Sequence, residues 1–525
     1  MDGSTRDVLL RLFADHGIDV EPGPAATEQA RAWASDAQID DPSLDDLTSI
    51  PFATLDSRHA MDLDQALHVE PNGSGHVVRY AIADASHYVA PGTPLWDEAL
   101  RRGASYYLPG IVAPMLPRVL SEDVVSLNPG VDRRAVVFVH ALDAEGICTR
   151  TDIVRARIRS RAKLGFAEAQ AFLDGGEAPR GMHDVAASLV GLREVGHRRI
   201  RLADERGVVR FRRSEVHVAV ADGPAAGFTS VEPADYEVET YNEQLSLLCN
   251  IEGAKLLQAD DPEELVQPIY RTHPPPTEAA LAKLEGMVRA LVRAHGKSEE
   301  RWAWSRGTAL AAYLAALPRD GEDGQLARVV HRQALLVGGR AQYTDEPAKH
   351  HGVGAEAYAR FSAPMREIVG VYCHAELIEG LSGSERANSD GVDAEALRGR
   401  VVESATRAKR TQSSLERAAN GLVIDALLGE DCKRTLEERP TRKGTLMGLG
   451  RGKAYVRLDA PPIDLKVYVK HLESESGKRM RIGPDGVRLF EDRESVLTVG
   501  ERVHVVAAGR DARTDRWRLR CRAAR

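Results

Sequence analysis

Three carboxylates within nine residues constrain this chain more than any other feature: Asp56, Asp62 and Asp64 in T-L-D-S-R-H-A-M-D-L-D-Q-A-L, from Thr54 to Leu67. In extended backbone Asp62 and Asp64, two apart, leave the same face, and the five residues before Asp62 let Asp56 fold back to meet them. Carboxylates brought together repel one another, and a divalent cation offsets that repulsion. Oxygen donors alone suit Mg²⁺ or Mn²⁺ rather than zinc. Such ions bridge phosphate oxygens and turn a bound water into a nucleophile, so hydrolysis of a phosphodiester is the natural chemistry. A polar loop with scattered acids accounts for the same letters, because short aspartate patterns are common.

The rest of the chain sets the bounds. Its 525 residues leave room for several domains, and 43% hydrophobic with 28% charged residues describe an ordinary folded chain rather than a disordered one. A formal net charge of -8 does not exclude a polyanionic partner, since an acidic total can hide basic grooves. Cys148, Cys249, Cys373, Cys432 and Cys521 are far apart and form no C-x-x-C pair, which favours a reducing cytoplasm and no structural zinc. No charged-then-apolar leader opens the sequence, and no apolar run reaches the roughly 18 to 20 residues that cross a bilayer, so neither export nor membrane spanning is expected.

In chain order, residues 1–45 read as short helices with an apolar face at Val8, Leu9, Leu10, Leu12 and Phe13, broken at Pro22 and Pro24. From Phe52 to about Ala144 the pattern is strand-rich, with a turn at Pro71 to Gly75. Thr93-Pro94 reads as the start of a helix that stops at Gly103. Tyr106 and Tyr107 then open a stretch whose Pro109, Pro114 and Pro117 forbid a long helix. Arg155, Arg157, Arg159 and Arg161 fall at period two on one strand face, suited either to a phosphate backbone or to acids on a neighbouring strand. A second basic group, Arg206, Arg210, Arg212 and Arg213, reads as a strand. Residues 236–430 are mostly helical, and polar side chains inside Tyr241 to Leu257 need partners in neighbouring loops or a site. Ser362 and Pro364 mark a helix start that places Arg366 in the first turn. A cation there opposes the macrodipole unless an anion joins it, a scissile phosphate or an acid such as Glu367. From about Pro440 short strands with glycine turns read as an OB-fold barrel, with Tyr455, Tyr468 and Trp517 among cations suited either to single-stranded nucleic acid or to the core.

Six motifs occur together and in order: D-S-R-H-A-M-D-L-D, I-A-D-A-S-H-Y-V, Y-L-P-G-I-V-A-P-M-L-P, S-L-N-P-G-V-D-R, N-E-Q-x-x-x-L-x-N-I and Y-A-R-F-S-A-P-M-R. Over roughly residues 50 to 380 they resemble the catalytic domain of the ribonuclease II and ribonuclease R family. Pattern and resemblance together give an α+β chain: a helical segment over 1–45, read from its apolar face, an RNB-type sheet-and-helix catalytic domain over 46–430 and an OB-fold RNA-binding barrel over 440–525. The resemblance implies a processive, Mg²⁺-dependent 3′-to-5′ exoribonuclease, with Mn²⁺ as a substitute, that degrades single-stranded RNA to nucleoside 5′-monophosphates; a monomer is expected. In that picture Asp56, Asp62 and Asp64 hold metal and attacking water, Tyr107 packs on the terminal nucleotide, Glu243 or Gln244 flanks it, and Arg366 neutralises charge on the phosphate. Arg155, Arg157, Tyr455 and Trp517 would contact the strand further out.

The chain departs from the family pattern at Gln65, where a fourth acid is usual; an amide oxygen still ligates metal but brings no charge, so weaker Mg²⁺ binding is expected. Glu367, Ile368 and Gly370 replace an arginine or lysine, a tyrosine and an aspartate. Only about 45 residues precede the match, too few for the usual cold-shock barrels, so one side of the RNA entrance is expected to be open or covered by the N-terminal helices. These departures keep two further readings in view: a catalytically weakened RNA-binding relative, and a single-strand DNA exonuclease.

Overall fold

The computed structural model describes residues 3–177, 183–210, 217–221, 227–231, 234, 236–258, 266–382 and 393–524. Arg212 and Arg213 lie outside them, while Arg210 is paired with Asp204 at 3.0 Å.

A six-stranded sheet carries the acids. Its order is Asp45–Asp46, Cys148–Gly165, Phe52–Asp56, Gln65–Asn72, Gly75–Ala83 and Asp132–Leu142, and a second pairing of Cys148–Gly165 with Asp132–Leu142 closes it into a ring. The hairpin turning between Asn72 and Gly75 sets Gln65 opposite Ile82, which buries Val78, Tyr80 and Ile82 together. Phe52–Asp56 runs parallel to the long strand and ends with Asp56 beside Gly165.

Helix Pro94–Arg102 is capped by Thr93, whose hydroxyl accepts from Trp96 N at 3.3 Å, and it stops at Gly103 with φ 75°. That glycine suits the left-handed turn and the close approach of helix Ala394–Asp431, since a Cβ would meet Ser404 O at 2.7 Å. The proline-rich stretch forms a small hairpin, Tyr106–Leu108 with Ile111–Ala113, followed by a π-helix at Val119–Val124. Helices Gly3–Asp15 and Pro24–Ser35 open the chain, and Leu9 and Phe13 are buried against Tyr106, Leu108 and Leu415. The first helix therefore braces the hairpin that carries Tyr107.

The C-terminal sheet is ordered Asp464–Tyr468, Lys453–Leu458, Arg442–Gly450, Arg502–Arg510 and Trp517–Ala523, with helix Val469–Ser476 after the third strand in sequence. This is the OB-type barrel, with a three-stranded sheet from Met480 to Thr498 inserted before its fourth strand. The hydrophobic cores divide the chain differently from the boundary read at 430–440. Residues from Ala26 to Ala405 pack around the ring sheet, but Leu284, Leu291, Trp302, Leu326 and Val330 share one core with the barrel.

Two expectations change on this scaffold. Helix Ile368–Ser382 begins two residues after Arg366, so Arg366 lies in the preceding turn and not inside the helix. The arginine run is engaged by acids: Arg155 with fully buried Asp84 at 3.2 Å, Arg157 with Asp40 at 2.9 Å and Asp46 at 2.7 Å, and Arg159 with Asp132 at 2.5 Å. For Arg155 this favours the acid on a neighbouring segment over the phosphate backbone. A guanidinium that neutralises a desolvated carboxylate, as Arg155 does at Asp84, is not released to a phosphate without a large cost, whereas the acids beside Arg157 are exposed, 94% for Asp40 and 55% for Asp46, and hold it only weakly.

Candidate active site

Asp56 ends a strand, Asp62 and Asp64 lie on the irregular loop that follows it, residues 57–64, and the fold staples that loop along its length. Asp56 Oδ1 accepts from Ser57 N at 2.6 Å, and Lys163 Nζ donates to the carbonyl of Ala60. Ser126, from the S-L-N-P-G motif, donates to Met61 O at 2.8 Å and accepts from Leu63 N at 3.0 Å. Leu127 N then bonds Leu63 O at 3.0 Å, and Ala83 N bonds Asp64 O at 2.8 Å. Backbone groups held in this way fix where the two carboxylates point before any ligand arrives.

Asp64 is 1% exposed and joins segments 302 residues apart: Arg366 Nε donates to its Oδ2 at 2.6 Å, and Met365 N donates to its Oδ1 at 2.9 Å. Burial lifts its pKa to about 6, with Asp62 adding to the lift and Arg366 and the Met365 N–H opposing it. Asp62 is likewise lifted above the usual carboxylate range by burial, Arg366 opposing and the charge of Asp56 adding. The Tyr107 hydroxyl stands 3.5 Å from Asp62 Oδ2, a long contact, and its residue is 41% exposed.

Arg366 is brought here by its own turn. Ser105 N donates to Arg366 O at 2.9 Å, which ties the Tyr107 hairpin to the arginine. Upstream, fully buried Asn250 holds the approach: its Oδ1 accepts from Phe361 N at 2.7 Å and Ser362 N at 3.2 Å, and its Nδ2 donates to Tyr358 and Ser362 hydroxyls at 3.0 and 3.1 Å. Gly253, one turn on, lets Phe361 approach so closely that a Cβ would fall 2.5 Å from its ring. Buried Asn250 of helix Glu237–Leu257 thus serves the loop that delivers Arg366. Asn250 was visible only as a polar letter needing a partner, and Met365 acts through its backbone, which no side-chain pattern reveals.

Other expected site residues fall elsewhere. Gln65 has its amide oxygen accepting from the buried Tyr80 hydroxyl at 2.5 Å, a diagonal cross-strand bond, so that oxygen is engaged within the sheet. Glu243 is exposed one residue after Asn242, whose amide reaches Leu55 O at 3.5 Å beside the strand end bearing Asp56; Gln244 is buried. Trp517 donates its indole N–H to Asp425 at 2.7 Å and has Arg510 over its ring at 4.9 Å, so its polar edge and one face are taken. Tyr455 is half-buried on a barrel strand. Tyr468 instead stands between Lys453 and Arg516, 5.5 and 5.0 Å from its ring.

A cavity of about 800 Å³ opens beside the acids, and Tyr107, Arg366, Glu367, Arg360, Tyr343 and Lys409 are among the residues that line it. For metal, the test is the donor set. Among the described residues no three His, Cys, Asp or Glu side chains stand close enough together to hold an ion, so the expected three-carboxylate cage is not preformed. Asp62 and Asp64, with the charge of Asp56 felt at Asp62, remain a fit for an ion bound through one or two carboxylates, with substrate phosphate and water completing its shell, as Mg²⁺ commonly is.

Sheet, loop and arginine turn define the class: the RNB domain matches residues 44–383, and the chain belongs to that family. It is 27% identical over 472 residues to ribonuclease R of Escherichia coli, covering 88% of this chain and 55% of that protein. It is 30% identical over 350 residues to exoribonuclease 2 of Edwardsiella piscicida, covering 66% of this chain and 52% of that protein. The chain thus spans about half the length of these curated relatives. Ribonuclease R of Mycoplasma genitalium, solved in complex with ribose-methylated single-stranded RNA, has the same fold at a TM-score of 0.83 and 20% identity, covering 98% of this chain and 78% of that one.

Proposed function

We propose that this chain is a 3′-to-5′ exoribonuclease that hydrolyses single-stranded RNA to nucleoside 5′-monophosphates with Mg²⁺ or Mn²⁺. The observation that carries this reading is the convergence of Asp62 with Tyr107 and of Asp64 with Arg366, where Tyr107 and Arg366 line an 800 Å³ cavity. Arg366 spends its Nε on Asp64, and the terminal amino groups of its planar fork remain to meet a phosphate whose charge grows in the transition state. Asp64 orients that fork, and Asp62 orients the attacking water. The exposed ring of Tyr107 offers a stacking face to the terminal base. A divalent ion, when bound, supplies charge to the phosphate oxygens and acidifies the attacking water, with Asp62, Asp64 and Asp56 as the residues that would hold it.

The test is a 5′-labelled single-stranded RNA of about 30 nucleotides incubated with and without Mg²⁺ or Mn²⁺ and resolved on a gel. Metal-dependent collapse to a short limit product is the expected result. Intact RNA under every metal condition, with a shifted band in a binding assay, would replace the nuclease reading with that of an RNA-gripping relative.

That second reading has its own support in Gln65, which brings no charge and whose oxygen is engaged by Tyr80, and in the engagement of both Asp64 oxygens by donors. Gln65→Asp restores a carboxylate where Tyr80 can still donate, and it should tighten apparent Mg²⁺ binding by about three- to tenfold. A metal titration of activity checks this. An unmoved midpoint would place residue 65 outside the coordination shell.

A further inference from the structure

The ring that meets the terminal base stands on a short element. Tyr106–Leu108 and Ile111–Ala113 are strands of three residues each, and a lone two-stranded hairpin does not hold its shape without packing from outside. Successive side chains of a strand leave opposite faces, so burial of Tyr106 and Leu108 on one face turns Tyr107 to the other, where its hydroxyl reaches Asp62. The first helix covers the buried face. Thr5, Leu9 and Phe13 recur every fourth residue along Gly3–Asp15 and are all buried, and Leu9 and Phe13 share one core with Tyr106, Leu108 and Leu415. Among the described residues, the large buried side chains that close this core from outside the hairpin are Leu9, Phe13 and Leu415, and the first helix supplies two of them. His16 Nε2, 3.2 Å from the Ser414 hydroxyl, ties the end of that helix to Ala394–Asp431. Polar bonds meet the hairpin at its backbone: Tyr107 N donates to Gln412 at 3.4 Å, and Arg118 donates at 2.7 Å to the carbonyl of Val112, opposite Tyr107. The tilt of the strand, and with it the direction of the Tyr107 ring, follows from how its inner face packs.

We infer that Phe13, with Leu9 beside it, is a positioning residue for the terminal nucleotide: acting through Tyr106 and Leu108, it holds the Tyr107 ring where the last base stacks. The inference rests on the exoribonuclease reading. Phe13 is fully buried and offers no surface to a strand, so its truncation should be felt where Tyr107 acts, at the base, and much less at the phosphate. A core residue without this role would slow the reaction of every RNA end alike.

Two 5′-labelled RNAs of one sequence, ending in adenosine or in the same ribose without its base, are given to the full chain under single-turnover, subsaturating conditions, and removal of the last nucleotide is timed. The wild-type protein should favour the adenosine end by about tenfold, as expected of one base on an aromatic ring. Phe13→Ala should bring that ratio toward one, as Tyr107→Ala does, with a rate on the baseless RNA within about threefold of the wild type, and the double variant should lose nothing further. Phe13→Leu, which refills the core, should keep the ratio. Leu9→Val, a milder truncation, should lower it part of the way. A Phe13→Ala protein that slows both RNAs alike overturns the inference, and so does a wild-type ratio near one. Should Phe13→Ala fail to fold, Leu9→Val decides: a ratio equal to the wild type overturns the role. If the wild-type protein cuts neither RNA, the nuclease reading fails, and the affinities of the same two RNAs measured without metal test the brace alone. A preference for the adenosine end that Phe13→Ala removes sustains it, and equal affinities overturn it.

Discussion

Asp64→Asn is expected to lower hydrolysis by about a thousandfold or more while RNA affinity stays near that of the wild type. The carboxylate holds two donors, Met365 N and Arg366 Nε, and an asparagine offers one oxygen and one amino group in their place. The amino group then faces a donor, so the guanidinium loses the anchor that aims it at the phosphate. The charge removed is fully buried and needed when the phosphate develops negative charge; it is not part of a groove that grips the strand. Leaving Arg366 without its partner should also cost about 1–3 kcal/mol of stability, at the modest end because that side chain is 35% exposed. Single-turnover hydrolysis and equilibrium RNA binding on the same preparation check the expectation. Turnover comparable to wild type would remove Asp64 from the catalytic assignment, and a parallel loss of binding would make its role that of a general scaffold.

How far the site could be read from the letters depends on what holds each part. The acids, Tyr107 and Arg366 were legible because their chemistry is unusual for their surroundings, and the structure gathers Asp62, Asp64, Tyr107 and Arg366 although Arg366 is 302 residues from Asp64. The arginine run was ambiguous for a physical reason. Whether Arg159 meets a phosphate or Asp132 depends on strand register, which pairs those two residues directly and which no local pattern contains. Gln65 was read as a ligand by its place in the motif, yet its bond to Tyr80 arises from a cross-strand diagonal. Glu367 was paired in sequence with its neighbour Arg366, whereas successive residues in a turn point apart, and its partners come from three other segments. The barrel was legible from period-two strands and glycine turns, but its shared core with residues 284–334 was not, because an amphipathic helix shows that it has an apolar face without showing what covers it.

Asn250→Ala is expected to lower both stability and kcat, and by an order that separates positioning from chemistry. Its side chain is 0% exposed and makes four hydrogen bonds to the Tyr358–Ser362 segment, two of them from backbone amides that have no water to turn to. Truncation leaves those donors unpaired in the interior, at a cost of about 3 kcal/mol. The segment leads directly into Ala363, whose carbonyl accepts from Arg366 N at 3.1 Å, so a loosened segment displaces the arginine and the Met365 amide together. A displacement of about 1 Å at a phosphate clamp costs about a hundredfold in rate. KM for a long RNA should change little, since Asn250 is fully buried and offers no surface to a strand. Asn250→Asp keeps the acceptor for Phe361 N and Ser362 N and loses only the two donors, so its kcat should fall between the two proteins. Thermal unfolding and steady-state hydrolysis of the three proteins decide the matter. A variant Asn250→Ala that melts with the wild type, or that melts early yet turns over at the wild-type rate, would show that Arg366 is held by the Asp64 pair alone, without the helix behind it.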